Sequence, residues 1–562
     1  VRTGTISEQI DGTTTVQVVE QAGELDVLRA QLSQARAEVG SAAPLRPFTY
    51  RGELLPFEPS SYQQAVIDEV LDGSGDIVVN AVAGSGKTAT LELLARYIKS
   101  KAMFVAFNAH IAKELNAKLK PYGMSARTLH SVGFGALRYK FKFSTKPEPS
   151  KYRRLAREIQ DDIARCSAVN GVRLSSSLCS LLATEYPLGE LLQLVGHLRT
   201  TLAEVVDRPT VMALANQYAI GVEPGMMVFY VQALRYMLKR GAAEIAEGLV
   251  DFTDMIWGPW VHNCKPFQLS WVLVDEAQDL NPAQLDLAMR CRYRNGRMLF
   301  VGDRSQAIYG FAGAMADGID QIVEATGAKE LPLSTCYRCP TTHLELAREI
   351  VPQIEAAPGA RQGVIGGCSE EQVMEVVAPG DIVLCRTTAP LIKLCFALLL
   401  AGVSARVRGR KIGEALVALI ERLAKRRAFK YAEMDRAVAL WLKRESAKVL
   451  RRNGGDLEDS QLQGLQDRAD TVMALWSGSD ATSIAGLTQD IEGLFSNDRP
   501  SVWLSTVHRA KGLEAEVVYI LRPDLMPLPF ARKGWQVQQE YNLLYVALTR
   551  AKRALVMVEG SA

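Results

Sequence analysis

The sequence predicts an α/β protein with two parallel-sheet units, the first opening on a phosphate-binding loop, each interrupted by a helical insertion. Three observations predict it. A short apolar run, Ile77–Val79, leads into the glycine-containing loop Ala81–Thr88 and then a helical run from Ala89 to Lys99. Apolar strands alternate with helical patterns from about residue 60 to 140 and resume at Trp271–Val274 and Met298–Val301. They recur as a second set at Ile382–Cys385, Val502–Ser505, Val517–Ile520 and Leu555–Val558, and helical stretches at 145–250 and 412–497 break up the two sets.

Residues 20–39 carry Leu25, Leu28, Leu32, Ala35 and Val39 at helical spacing, so a helix is expected there. Pro44, Pro47, Pro56 and Pro59 read as a linker. The expected domains start with an N-terminal extension, 1–50. The first sheet unit takes 51–144 and 251–325, around an insertion at 145–250. The second takes 326–411 and 498–562, around an insertion at 412–497.

Composition sets outer bounds. A chain of 562 residues with 48% apolar content has enough material for several cores. A net charge of +3 does not by itself mark a nucleic-acid binder. The apolar stretch around Leu391–Val403 is shorter than the ~18 residues of a membrane span and contains Lys393, so no membrane partner is expected. Arg2, Glu8 and Asp11 interrupt any apolar run in residues 1–15, so no secretory signal is expected there. Nine scattered cysteines fit reduced thiols, and Cys336 with Cys339 is a lone C-x-x-C without the second pair a structural metal needs.

The loop asks for a triphosphate. Converging backbone N–H groups require a chain bent as only glycine bends, and Gly84 and Gly86 supply that bend between Ala83, Ser85 and the helix start. Lys87 is placed for the β/γ oxygens and Thr88 for Mg²⁺. Ala81 departs from the strict pattern, which has glycine there. Downstream, the apolar run Trp271–Val274 ends in Asp275 and Glu276. A strand that delivers two carboxylates at its end can set one beside Mg²⁺ (Asp275) and the other, as general base, beside the attacking water (Glu276).

At this point the chain resembles superfamily 1 helicases of the UvrD/Rep/PcrA type. Asp275–Asp279 (DEAQD) looks like motif II, Val301–Gly310 (VGDRSQAIYG) like motif III and Leu333–Arg338 (LSTCYR) like motif IV. Val502–Glu514 resembles motif V and Glu540–Ala551 motif VI. Tyr62–Val66 is similar to the Q motif, Phe104–Asn108 to motif Ia and Arg127–Ser131 to motif Ib. The resemblance spans about residues 59–557, implies two RecA-like domains, and makes Ala81 usual rather than aberrant.

It also implies roles. ATP and Mg²⁺ are the expected ligands. Arg338 and Arg550 would be arginine fingers, and Gln306 would sense the γ-phosphate. Gln63 rather than Gln64 would read the adenine edge, Tyr337 would stack on the ring, and Glu514 would hold the ribose. Ala89 stands where the family often has Arg, which leaves the second adenine face less covered. The DNA track would use Phe107, Asn108, His130, Tyr309, Phe311, Thr506 and His508. Phe311 stands for the usual Trp and Ala312 for the usual Arg.

The expected activity is ATP-dependent DNA unwinding with 3′-to-5′ translocation, since Ala510–Glu514 (AKGLE) has the motif V form of that branch. The alternative is a translocase that strips proteins from single strands with little unwinding; a non-motor ATP-dependent binder is a third class. The expected partners are single-stranded DNA, single/double-strand junctions and a protein loading partner, in a cytoplasmic, nucleoid-associated setting. Between Arg422 and Arg452 eleven Lys/Arg stand against three Asp/Glu, read either as a duplex contact or as a solvated helix face.

Overall fold

The computed structural model describes residues 24–37, 46–106, 108–218, 220–308, 310, 317–426, 429–452, 460–495, 502–528 and 534–560. Two compact units emerge. The first comprises Pro44–Thr335 with Val449–Asp456, and the second Val1–Ala43, Cys336–Lys448 and Leu457–Ala562. In chain order the helices that matter first are α1 (Glu24–Ala37), α2 (Ser61–Asp72), α3 (Lys87–Tyr97), α4 (Ala109–Leu119) and α5 (Leu129–Phe141).

The first unit holds a six-stranded sheet of β1 (Ile77–Ala81), β2 (Ala102–Val105), β3 (Ser125–Arg127), β4 (Leu269–Val274), β5 (Arg292–Gly302) and β6 (Lys329–Leu333). Every pairing is parallel, in the order β6-β1-β5-β4-β2-β3. Helices cover both faces, so the central strands carry buried apolar runs; Val78, Val79, Phe104 and Leu273 are all fully buried. β1 and β2 follow each other in sequence, yet β5 and β4 lie between them. Such a crossover point is where open parallel sheets bind ligands, at the carboxyl ends of the strands. β6 pairs with β1 up to Leu333↔Ala81, which carries the first sheet past the boundary expected at residue 325.

Among its described residues the insertion holds the α-helices Lys151–Cys166, Ser176–Thr184, Leu188–Thr200, Arg208–Gln217 and Met227–Ala246, with a short hairpin pairing Ala168–Val169 and Val172–Arg173. They share a core of their own around Leu155, Leu194, Phe229 and Leu234. A buried charge cluster ties them to the returning chain. Lys151 Nζ donates to Asp254 at 2.7 Å and to the carbonyls of Gly241 and Leu249, while Arg199 donates to Asp251 and Asp254 at 2.9 Å. Each charge there has a partner, without which burial would be prohibitive.

The second unit repeats the plan with β7 (Val364–Ser369), β8 (Ile382–Cys385), β9 (Ala405–Val407), β10 (Val502–Thr506), β11 (Ala515–Leu521) and β12 (Ala551–Glu559). All are parallel, in the order β7-β12-β11-β8-β10-β9. Among the described residues, helices Arg410–Ala424, Met434–Arg452 (as far as Lys448), Ser460–Gly478 and Ile484–Leu494 form its insertion.

The expected N-terminal helix is α1, and it belongs to this second unit. Leu28, Leu32 and Ala35 are buried in its core. Leu28 comes so close to β7 that a methyl at Gly366 would lie 2.5 Å from its Cδ1. Arg36 donates to Asp381 at 2.5 Å, to the Val376 carbonyl at 2.8 Å and to the Tyr519 hydroxyl at 3.1 Å. Asp381 is almost fully buried, so this pair fixes the helix in register as well as in place. Val39, expected on the same face, lies outside the described residues.

Candidate functional site

β1 ends at Ala81 and the chain turns at once. Gly84 (φ 67°) and Gly86 (φ 79°) take left-handed conformations that side-chain-bearing residues avoid. Buried Ser85 pins the loop by donating its hydroxyl to the Val82 carbonyl at 2.8 Å. α3 then starts at Lys87 with Gly86 as its cap and no side chain bonded to its first turn. Its leading N–H groups are thereby left for an anion, with the positive end of the helix behind them. Thr88 is exposed, Lys87 and Ala89 are half-buried, and Ala83 is buried. This set of donors fits a triphosphate, with the Thr88 hydroxyl available to Mg²⁺.

Gln63 braces this loop. The Ser60 N–H donates to Gln63 Oε1 at 3.0 Å, and Gln63 Nε2 donates to Thr90 Oγ1 at 3.0 Å. At 2% exposure, Gln63 joins the start of α2 to α3 one turn past the phosphate loop. Reading an adenine edge would require it to exchange one of these bonds. Gln64 donates instead to the Pro59 carbonyl at 2.9 Å.

β4 delivers the carboxylates. The Asp275 N–H donates to the Val105 carbonyl at 3.2 Å, which keeps the strand end in the sheet. Glu276 then takes a left-handed conformation (φ 51°, ψ 42°), at a cost of about 1 kcal/mol for a residue with a side chain. Such local strain is tolerated where geometry matters. A capping box between Asn281 and Gln284, followed by Pro282, fixes the exit into helix α6 (Pro282–Arg290).

A hydrogen-bonded relay leaves Glu276. Buried Gln278 donates to Glu276 Oε2 at 2.6 Å and accepts from the Asp303 N–H at 2.9 Å. Asp303 in turn accepts from Gln306 Nε2 at 2.7 Å and from the Ser305 N–H at 3.0 Å. Gly302 makes room, since a Cβ there would lie 2.6 Å from Gln278 Oε1. Burial pushes the Asp303 carboxyl up, and Lys87 pulls it back only in part. Lys87 is thus within electrostatic reach of Asp303, and the first unit joins phosphate loop, carboxylates and Gln306 in one network.

In the second unit Tyr337 and Arg338 sit between Cys336 and Cys339. Tyr337 is 50% exposed, which leaves a ring face available. Arg338 donates to Glu514 Oε2 at 2.7 Å and to the Thr549 carbonyl at 3.4 Å. The other Glu514 oxygen pairs with Lys552 at 2.7 Å. Burial pushes the Glu514 carboxyl up, but Lys552 and Arg338 outweigh it and hold the group below the usual range. A ribose hydroxyl would have to share this carboxylate with two cations. Arg550, 2% exposed, donates to the carbonyls of Val546 at 2.9 Å and Leu513 at 3.3 Å.

Both halves of the chain match the same group of enzymes. Residues 62–326 match the UvrD/REP helicase N-terminal domain, and residues 478–561 match the UvrD-like helicase C-terminal domain. The chain belongs to the UvrD-like helicases of superfamily 1. It is 24% identical over 550 residues to F-box DNA helicase protein 1 of Schizosaccharomyces pombe, covering 89% of this chain and 57% of that protein. It is 22% identical to F-box DNA helicase 1 of Gallus gallus, covering 89% and 49%. Over 339 residues it is 26% identical to DNA helicase IV of Escherichia coli, covering 53% and 48%. The chain spans about half the length of these relatives.

In this UvrD-like chain the expected DNA-track residues have varied surroundings. Phe107, Tyr309 and Phe311 lie outside the described residues. Asn108 is exposed and caps α4, its side chain accepting from the Ile111 N–H at 2.9 Å. His130 lines a cavity of about 20 Å³ together with Asp275 and Asp279, so it neighbours the carboxylates. Burial lowers its pKa. Thr506 ends β10, and His508 follows on the short helix Val507–Ala510. Burial, with Arg386 nearby, pushes His508 down to about 3. A DNA contact there would be made by a neutral ring rather than a cation.

That shift has a pH consequence. The stability it contributes is complete above the ordinary histidine value of about 6.5 and is lost as pH falls towards about 3, because only the unfolded chain takes up the proton in between. Urea titrations should show the unfolding midpoint falling below pH 6.5. A His508→Gln variant should fall less steeply over the same range, and equal slopes would contradict this.

Two residues of this UvrD-like site, Gln278 and Asp303, have no role legible in the sequence although both stand inside its motifs. The pairing of Val274 with Phe300 in the folded sheet sets the ends of β4 and β5 side by side and brings them together. Within the basic run, Lys430 and Arg436 pair with Glu433, and Lys448 with Glu445. Among the described residues no cluster of three or more His, Cys, Asp or Glu could hold a metal, and no helix is long and apolar enough to cross a membrane.

Proposed function

We propose that this chain is an ATP-driven DNA helicase and single-strand translocase moving 3′ to 5′. The relay from Glu276 through Gln278 and Asp303 to Gln306 carries the reading most directly. It links the carboxylate suited to activating water to the segment that continues toward the expected DNA contact Tyr309. Lys87 and the uncapped start of α3 orient the phosphates. Glu276, with its left-handed backbone, takes the proton of the attacking water. Arg338 and Arg550 meet the charge that develops on the transferred phosphoryl group. Mg²⁺, held by Thr88 and Asp275, would supply Lewis-acid stabilisation. The 3′-to-5′ direction rests on the AKGLE form of motif V.

The test is ATPase with and without single-stranded DNA, followed by unwinding of 3′- and 5′-tailed duplexes. Stimulation by the strand and unwinding of the 3′-tailed substrate are expected. Unwinding of 5′-tailed duplexes alone would refute the direction. Strand-stimulated ATPase that clears bound protein but separates neither duplex would favour the stripping translocase.

A further inference from the structure

The C-terminal end of α5 and the turn that follows carry an unassigned surface. From Leu129 to Pro147 there is no acidic residue, while Arg138, Lys140, Lys142 and Lys146 are all exposed. None of the four makes an ion pair among the described residues. This differs from the run at 422–452, where cations pair with their own acids. Tyr139 stands among them, 76% exposed, with Lys142 Nζ 4.1 Å from its ring centroid. The backbone beneath is fixed, with the Phe141 ring edge-on to His262 at 4.9 Å and the Lys142 N–H bonded to the Arg138 carbonyl.

An exposed aromatic among cations that have no acidic partner among the described residues offers stacking and phosphate contact together, the two components of single-strand binding. Tyr139 also lies nine residues along α5 from His130, about 13 Å at helical rise and on the opposite side of the helix. One rigid helix therefore carries both the end of motif Ib and this surface. We propose, resting on the DNA-motor reading above, that Tyr139 with Arg138, Lys142 and Lys146 forms an accessory nucleic-acid platform, where a base stacks on Tyr139 and the cations hold flanking phosphates.

The experiment compares the full chain with its Tyr139→Ala, Tyr139→Phe and Lys142→Ala/Lys146→Ala variants, by anisotropy of a labelled single-stranded oligonucleotide across a salt series. Tyr139→Ala should weaken binding on the order of ten-fold and Tyr139→Phe should restore it. The double lysine variant should make the log affinity against log salt slope shallower by about 1.4, roughly 0.7 for each lost phosphate contact. ATPase without DNA should be unchanged in all three. Wild-type affinity and slope in every variant would overturn the platform and leave the motor reading standing. Weakened binding to polyglutamate with DNA binding intact would also overturn it, by marking the face as a site for acidic protein. No nucleic-acid binding by the wild-type chain would overturn the motor reading and the platform with it.

Discussion

Lys87→Ala is expected to reduce ATP turnover by about 10³-fold or more at saturating DNA, beyond the ~10²–10³ typical of losing one transition-state donor. Lys87 opens a helix whose first turn has no side-chain cap, so lysine charge and backbone donors converge on one place. Removing the charge also acts on the relay. Lys87 counters the upward push of burial on the Asp303 carboxyl, so its loss raises that group further and weakens its hold on Gln306 as an ionised acceptor. The variant should therefore lose coupling as well as rate, with residual turnover that single-stranded DNA no longer stimulates. Steady-state ATPase with and without the strand measures both. Turnover within ten-fold of wild type would refute the assignment of the phosphate loop.

Arg338→Ala should lower kcat by ~10³–10⁵ while leaving the KM for ATP nearly unchanged, the pattern of a group that acts in the transition state alone. It is the better of the two proposed fingers to test. Arg550 is bonded to two backbone carbonyls and almost fully buried, so removing it would damage the fold. Arg338 is partly exposed and leaves Glu514 with Lys552 as a partner, so the Arg338→Ala chain should unfold at close to the wild-type denaturant concentration. Arg338→Lys keeps the charge and loses the planar fork, and it should recover only part of the rate. Undiminished kcat in Arg338→Ala with normal stability would remove the loop at 337–338 from the chemistry.

The parts of the site legible in the sequence are those in which one short run carries both the structure and the chemistry. The loop at Ala81–Thr88 follows its strand directly, and Asp275 and Glu276 end theirs. What stayed hidden depends on which distant runs become neighbours. Gln63 carries its amide to Thr90, and Gln278 reaches Asp303, only after separate elements have packed. The expected end of the first sheet fell short for the same reason, because β6 follows a helix and joins β1 at the far side of β5. Exposure was hidden as well. The letters Arg138-Tyr139-Lys140 do not distinguish a core tyrosine from one standing clear of the surface, and the letters around His508 do not show how far it is buried.

The docking of α1 imposes an order of events on a growing chain. Ribosomes add residues from the N-terminus at roughly 5–20 per second, and Asp381 follows Arg36 by 345 positions. Between roughly 15 and 70 s must pass before that carboxylate is even polymerised. β11 and β12, which complete the sheet, come later still. Throughout that interval Leu28 and Leu32 have no groove to enter, while the first unit can already collapse around β1–β6. The earliest described helix is thus among the last to be seated. During synthesis it is an amphipathic segment open to chaperone capture, and its seating records that the C-terminal half of the chain has been made.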